Sequence, residues 1–135
     1  MSTTRKILFY WVPVVLVMAS IFYLSSRRDF PVTVPSWAIY ADKAAHTLIY
    51  GVLGFVFLRA WISGRFAEMT WQAGLVTVLF STVYGASDEF HQMFVPGRTP
   101  SLGDLSADFT GAALVCLAIQ QFYGAKSNRS MDTTG

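Results

Sequence analysis

Between Lys6 and Arg27 the chain passes 20 positions without a formal charge, and three more such runs follow. Residues 44 to 58 make a run of 15, which Ala60 to Ser63 extend beyond Arg59, an Arg whose long stem can snorkel. Residues 69 to 87 give 19, and residues 109 to 125 give 17. A hydrocarbon core of roughly 30 Å takes about 20 helical residues, with about 17 to 25 tolerated. Four such spans use most of the 135 residues and leave too little for a soluble domain. The runs predict an all-α integral membrane four-helix bundle, with one membrane domain over residues 7–124 and spans at about 7–26, 44–63, 69–92 and 104–124. Residues 1–6 are expected as a cytoplasmic N-terminus and 125–135 as a polar, disordered tail.

Composition agrees. Hydrophobic residues make up 53% of the chain and charged residues 13%, where about 25% is usual for soluble domains. The net charge of +2 comes from scattered basic residues, which excludes the basic stripe of a nucleic-acid binder. A single cysteine, Cys116, excludes a disulfide framework or a Cys-rich zinc module. The first run is longer than the apolar stretch of about 7 to 15 residues in a signal peptide, and it ends in Arg27-Arg28, as a span leaving the membrane does. It contains Pro13, whose missing donor neighbouring helices can make good.

Placing both termini in the cytoplasm puts Arg5, Lys6, Arg59, Arg65, Lys126 and Arg129 inside, against Arg27, Arg28, Lys43 and Arg98 outside. Six of the eight acids then share the outer end: Asp29, Asp42, Asp88, Glu89, Asp104 and Asp108. Both histidines, His46 and His91, join them. Any chemistry belongs there.

Helical spacing tests whether these groups can converge. On span two, Asp42, His46 and Tyr50 recur every four residues, a ladder on one face that drifts by about 40° per step. Span three presents Tyr84, Asp88 and then His91 or Gln92; span four presents Asp104, Asp108 and Gly111. Each step descends about 6 Å, so the ladders stack in layers, with His46, Asp88 and Asp108 a turn below the rim and Tyr50 and Tyr84 below those. Ionisable groups facing lipid at the helix centre cost about 2.5 to 3.5 kcal/mol each, so they should turn inward. Gly51, Gly54, Gly85 and Gly111 would let the backbones approach closely around the same sector. The expected result is a polar pocket that opens to the outer face and is formed by spans two, three and four.

The connector from Val95 to Gly103 contains Pro96-Gly97, which suits a type II turn and would hold Arg98 over the pocket mouth. Ser101 with Asp104 three residues later resembles a capping box, starting span four near Leu102. The longer outer connector, residues 27 to 41, carries Phe30, Trp37 and Tyr40 among prolines and is expected to lie on the membrane surface.

The strings Asp42-Lys43-Ala-Ala-His46-Thr-Leu-Ile-Tyr50-Gly51 and Tyr84-Gly-Ala-Ser-Asp88-Glu89-Phe-His91-Gln92, followed by Pro96-Gly97-Arg98, Asp104 and Gly111, resemble the VanZ-like family of small bacterial membrane proteins. The likeness runs from about the first span to the end of the fourth, and Ser25-Ser26 fits it as well. Asp108 stands where that pattern usually has Asn, and Val115 where a second Gly is common. The resemblance implies a multi-pass protein of the bacterial cytoplasmic membrane, in a family whose named member is linked to resistance to the glycopeptide teicoplanin. It carries no biochemical activity over to this chain. The residues matching its polar motifs are Asp42, Lys43, His46, Tyr50, Asp88, Glu89, Gln92, Arg98 and Asp104.

Two function classes follow for such a pocket. One is a non-enzymatic envelope protein that binds a membrane lipid, a lipid-linked envelope precursor or its headgroup. The other is a hydrolase or transferase acting on the headgroup, with His46 and Asp88 as the catalytic pair, Asp88 fixing the tautomer of His46, and Arg98 or Lys43 holding a phosphate. A divalent metal, zinc or manganese, is compatible with N and O ligands drawn from Asp42, His46, Asp88, His91 and Asp104. Beside these stand plainer expectations. Lys43, Glu89 and Asp104 could form a solvated end cross-linked by ion pairs, Glu89 above all because it points some 100° from Asp88. Tyr50 and Tyr84 could simply hydrogen-bond across the bundle, and His91 could be an interfacial side chain. Glycine-rich faces leave the oligomeric state open.

Overall fold

The computed structural model describes residues 2–27 and 36–132, excluding the side chains of residues 36, 38, 39 and 124–132. It contains four helices, α1 (Thr3–Ser25), α2 (Ser36–Trp61), α3 (Trp71–Gln92) and α4 (Leu102–Asp132), with a single 3-10 turn, Phe66–Glu68, between α2 and α3. No strand occurs among the described residues. The fold is all-helical, as the charge-free runs predict.

Among the described residues three helices are long and apolar enough to cross a membrane: α1, α2 from Tyr40 to Trp61, and α4 from Leu102 to Tyr123. At 22 residues, or about 33 Å, α3 has the length. Its composition differs, because its buried positions include Thr77, Ser81, Asp88, Glu89 and Gln92. The outer faces are largely apolar, and their exposed Ser20, Ser106 and Thr110 hydroxyls bond back to carbonyls of their own helices. Leu48 and Val52 of α2, Leu79 and Val83 of α3, and Leu114 and Leu117 of α4 are all exposed, whereas Asp88, Asp104 and Asp108 are buried. A water-soluble bundle distributes these residue types the other way round.

Two helix boundaries depart from expectation. Residues 36–41, expected to lie along the membrane surface, are instead the first turns of α2, since neither Pro nor Gly interrupts the stretch from Ser36 to Tyr50. Trp37 and Tyr40 are strongly exposed there. Arg28, Asp29, Phe30, Pro31 and Pro35 of the same connector lie outside the described residues. At the other end, α4 continues as helix beyond its candidate span, Leu102–Tyr123, through Asp132, into the stretch from residue 125 that was expected as a disordered tail.

Helix α2 is central, packing against α1, α3 and α4, while α1 touches α3 only slightly. Consecutive helices are antiparallel. Phe9 of α1 lies beside Arg59 near the end of α2, where the guanidinium sits 4.4 Å from the Phe9 ring and 4.8 Å from that of Tyr10. That contact houses the one charge inside the second apolar run. On its buried face α1 offers Val14 and Ile21 to a core formed with Tyr50, Leu53 and Phe57 of α2, flanked by Phe80 and Tyr84 of α3. Phe57 and Phe80 stack at 4.0 Å between centroids. A second cluster gathers Leu58, Ile62, Ala73 and Cys116, so the cysteine serves as a small apolar core residue.

The parallel pair α2 and α4 makes the tightest contact in the molecule. A Cβ placed on Gly111 would run into the carbonyl oxygen of Thr47 and approach the Gly51 amide nitrogen to 2.9 Å, both backbone atoms that no rotamer change can move. Ala112 fills the position opposite Gly54, where a Cβ would find its Cα at 3.1 Å. Small residues here replace side-chain interdigitation with backbone-to-backbone packing, the arrangement that membrane helices favour. Gly111→Val should therefore separate α2 from α4 and destabilise the fold by about 3 kcal/mol. Thermal unfolding in detergent should show this loss, while Leu114→Val at an exposed position of the same helix should leave the transition in place.

Candidate functional site

The close α2–α4 contact fixes the register of the acids above it. Lys43, two turns before Gly51, places its ammonium on the Asp104 carboxylate in the first turn of α4, 3.4 Å from Ser101 Oγ and 3.8 Å from Asp42 Oδ2. Gly103 leaves the room, since a Cβ there would meet Lys43 Cε at 3.1 Å. One turn deeper, His46 Nδ1 and Asp108 Oδ1 are 2.8 Å apart, with the Asp108 side chain only 1% exposed. Gly85 of α3 makes space for that carboxylate, because a Cβ at Gly85 would lie 2.6 Å from Asp108 Oδ2. With the carboxylate accepting, the ring proton sits on Nδ1 and Nε2 is left for other work. Below them the Tyr50 ring is parallel to that of His46 at 6.2 Å. Tyr84, 6.5 Å from Tyr50, donates from its hydroxyl to the Met18 carbonyl of α1 at 2.7 Å.

His46 therefore pairs with Asp108 and not, as the catalytic reading of the sequence has it, with Asp88. Asp88 instead accepts from Gln92 Nε2 at 3.1 Å through Oδ2. Glu89, for which a solvated position was the better expectation, is buried, and its Oε2 accepts the Ser101 amide at 2.6 Å. That contact changes the cap of α4. Ser101 Oγ accepts the Gly103 amide at 3.1 Å, as a capping serine should, but the reciprocal carboxylate comes from Glu89 on α3, because Asp104 is taken by Lys43. The bond joins α3 to the start of α4.

The preceding turn follows the sequence. Gly97 has φ +86°, and the Arg98 amide donates to the Val95 carbonyl at 3.1 Å, closing the expected turn around Pro96-Gly97. Arg98 is thereby directed at the end of α1, 3.5 Å from the carbonyls of Leu24 and Arg27, where a cation complements the helix dipole. His91 turns the same way. It lies 3.0 Å from Ser26 Oγ and against the Phe22 ring at 4.5 Å, joining α3 to α1 outside the recess described next.

A recess of about 160 Å³ opens among α1, α2, α3 and this turn, lined by Ile21, Leu24 and Ser25 of α1, by Asp42, Ala45, His46, Ile49 and Tyr50 of α2, and by Asp88 and Arg98. The expected pocket drew on the second, third and fourth spans. In the structure α1 supplies one wall, and the acids of α4 stand behind His46 and Lys43 rather than lining the recess. Ser25 is the member that chemistry alone did not single out; its position four residues after Ile21, on the packed face of α1, is the signal that points to it. Three residues of the lining, Ser25, Tyr50 and Asp88, each carry a buried polar atom without a hydrogen-bond partner, as do Ser81, Glu89 and Asp108 outside it. Of the residues with metal-ligand chemistry, Asp42, His46 and Asp104 bring one donor atom each to within 4.8 Å of one another. Asp88 and His91 are not part of that group.

An apolar exterior around buried carboxylates and a polar recess at one end defines a small helical membrane protein. The VanZ/LLP1 family model matches residues 2–123, a stretch that takes in α1, α2, α3 and α4 up to Tyr123, and the chain belongs to that family. No curated protein and no solved structure matches it.

The pairing of His46 can be read directly by nitrogen-15 NMR of the imidazole. Asp108→Ala should move the His46 Nδ1 resonance out of the hydrogen-bonded range, whereas Asp88→Ala should leave it in place.

Proposed function

We propose that the chain is a multi-pass protein of the bacterial cytoplasmic membrane with both termini in the cytoplasm, and that its recess faces outward and binds the headgroup of a membrane lipid or lipid-linked envelope precursor. Three residues from three helices that line one recess, each with a buried polar atom lacking a protein partner, carry this proposal. A buried polar group without a hydrogen bond costs about 1 to 3 kcal/mol, so a fold that assembles three of them around one space is suited to a polar guest. Size narrows the guest. Small-molecule sites usually span about 300 to 1,000 Å³, so about 160 Å³ admits a headgroup but not a whole precursor. Ile21, Leu24 and Ile49 give the recess an apolar flank against which the attached chain can continue into the bilayer. Through such binding the protein alters susceptibility to teicoplanin, the property linked to the named VanZ member.

A second possibility, a hydrolase or transferase acting on the bound headgroup, is favoured by the His46–Asp108 pair, since a buried carboxylate that fixes an imidazole is the arrangement of a general base. The two are separated by product analysis. Purified protein incubated with lipid extract releases headgroup or transfers it if an enzyme, and retains intact lipid if a binder.

Ala45→Trp would place an indole at the mouth of the recess. Native mass spectrometry of the detergent-purified protein should show retained lipid in the parent chain and at least a tenfold loss in this variant. Teicoplanin susceptibility of cells expressing each should change in parallel. For orientation, Thr99→Cys should react with a membrane-impermeant maleimide added to intact cells, and protection of that thiol would invert the topology.

A further inference from the structure

We propose that Asp42, His46 and Asp104 form a site for a divalent cation of the zinc or manganese type, in which Asp108 orients the imidazole and Lys43 is a tethered ammonium competing for the same carboxylates. The site stands apart from the question of what fills the recess and holds whether or not a lipid binds there.

Two helices supply the ligands. Asp42 and His46 sit one turn apart on α2, and Asp104 lies in the first turn of α4, with one donor atom from each within 4.8 Å of the other two. Ligand distances of about 2.0 to 2.2 Å around a tetrahedral ion place donor atoms roughly 3.5 Å apart. Closing from 4.8 Å is a matter of side-chain rotation, and the Asp42 side chain, 49% exposed, has the freedom to make it. The backbone positions need not move, because the Gly111–Thr47 contact already fixes the two helices in register.

His46 is prepared for a metal. Its Nδ1 is engaged by the buried Asp108 carboxylate, so Nε2 is the ligand nitrogen, and carboxylate–histidine–metal arrangements of this kind fix the ring and strengthen it as a donor. The charge inventory points the same way. Asp42, Asp104 and Asp108 meet one ammonium, that of Lys43, and one imidazole. Asp88, only 6% exposed and with Oδ1 unpartnered, lines the same recess as Asp42 and His46, and with Arg98 of that lining counted as well, four carboxylates face two cationic side chains and the imidazole. An excess of carboxylates, with Asp88, Asp104 and Asp108 buried, around N and O donors is what a divalent ion offsets. Lys43 already occupies the place of a cation on Asp104, so metal entry releases that ammonium toward solvent, to which its side chain is 33% exposed.

The test uses the full-length protein in detergent, stripped with chelator and titrated with Mn²⁺ while free ion is followed by electron paramagnetic resonance. One Mn²⁺ should bind per chain, with nitrogen-14 modulation from an imidazole in the pulsed spectrum. His46→Ala should abolish the modulation, and Asp104→Asn should weaken binding at least about 30-fold. Asp108→Ala should weaken it by about 10- to 100-fold, the usual effect of losing the partner that orients a ligand. Lys43→Met, by removing the competitor, should tighten binding severalfold. Circular dichroism melts accompany each variant; should Asp104→Asn unfold, half-exposed Asp42→Asn takes its place, with an expected loss of at least about tenfold. Absence of stoichiometric binding in both the parent chain and Lys43→Met would overturn the site. So would binding that lacks the imidazole signal or survives loss of the aspartate ligand.

Discussion

The contact of Gly111 with the backbone of Thr47 and Gly51 is the constraint from which the polar end of this molecule follows. It brings two parallel helices together without intervening side chains, so the residues one and two turns above are held at close range by backbone geometry. Lys43 reaches Asp104, and His46 reaches Asp108, because no side chain at position 111 holds α2 and α4 apart. Gly85 repeats the device on α3 and admits Asp108 between helices. In a membrane, where hydrocarbon gives apolar side chains little reason to prefer one another over lipid, van der Waals contact of this kind supplies the association.

That geometry also answers how so many carboxylates are housed at one end of an apolar bundle. Each has its own partner: Asp104 has Lys43 and Asp108 has His46, both of α2, Glu89 has the first amide of the α4 cap, and Asp88 has Gln92 within α3. Asp104, Asp108 and Glu89 thus act as joints between helices as well as candidate site residues. Arg98 and His91 make the corresponding joints to α1, through the Leu24 and Arg27 carbonyls and through Ser26. With α1 held in this way, the recess acquires its fourth wall.

The number of helices, the turn at Pro96-Gly97, the start of α4 at Leu102 and the depth of the polar layers were legible in the sequence, because each depends on spacing along one chain segment. Azimuth between helices was not legible. Asp88 and Asp108 lie at the same expected depth below the rim, and which of them faces His46 depends on how α2, α3 and α4 are rotated about their own axes. Glu89 shows the same limit: its offset of some 100° from Asp88 reads as outward only if α3 has a single packed face, whereas α3 lies against both α2 and α4, and the second face receives it. His91 was placed with the pocket on height alone, although its side chain turns to α1. The continuation of α2 back to Ser36 was masked by aromatic residues that suit a surface segment equally well.

The polar face of α3 bears on how such a chain is made. With Thr77, Ser81, Asp88, Glu89 and Gln92 turned to one side, this segment gains the least from hydrocarbon of the four, and its residence in a bilayer depends on company. The short connection from α2 supplies a partner emerging just before it, so the two are suited to enter as a hairpin. The Glu89 carboxylate of α3 then waits for the amide of Ser101, which leaves the ribosome later. In a bilayer, helix insertion and helix packing would therefore be coupled for α3, and the arrival of α4 would complete the burial of Glu89.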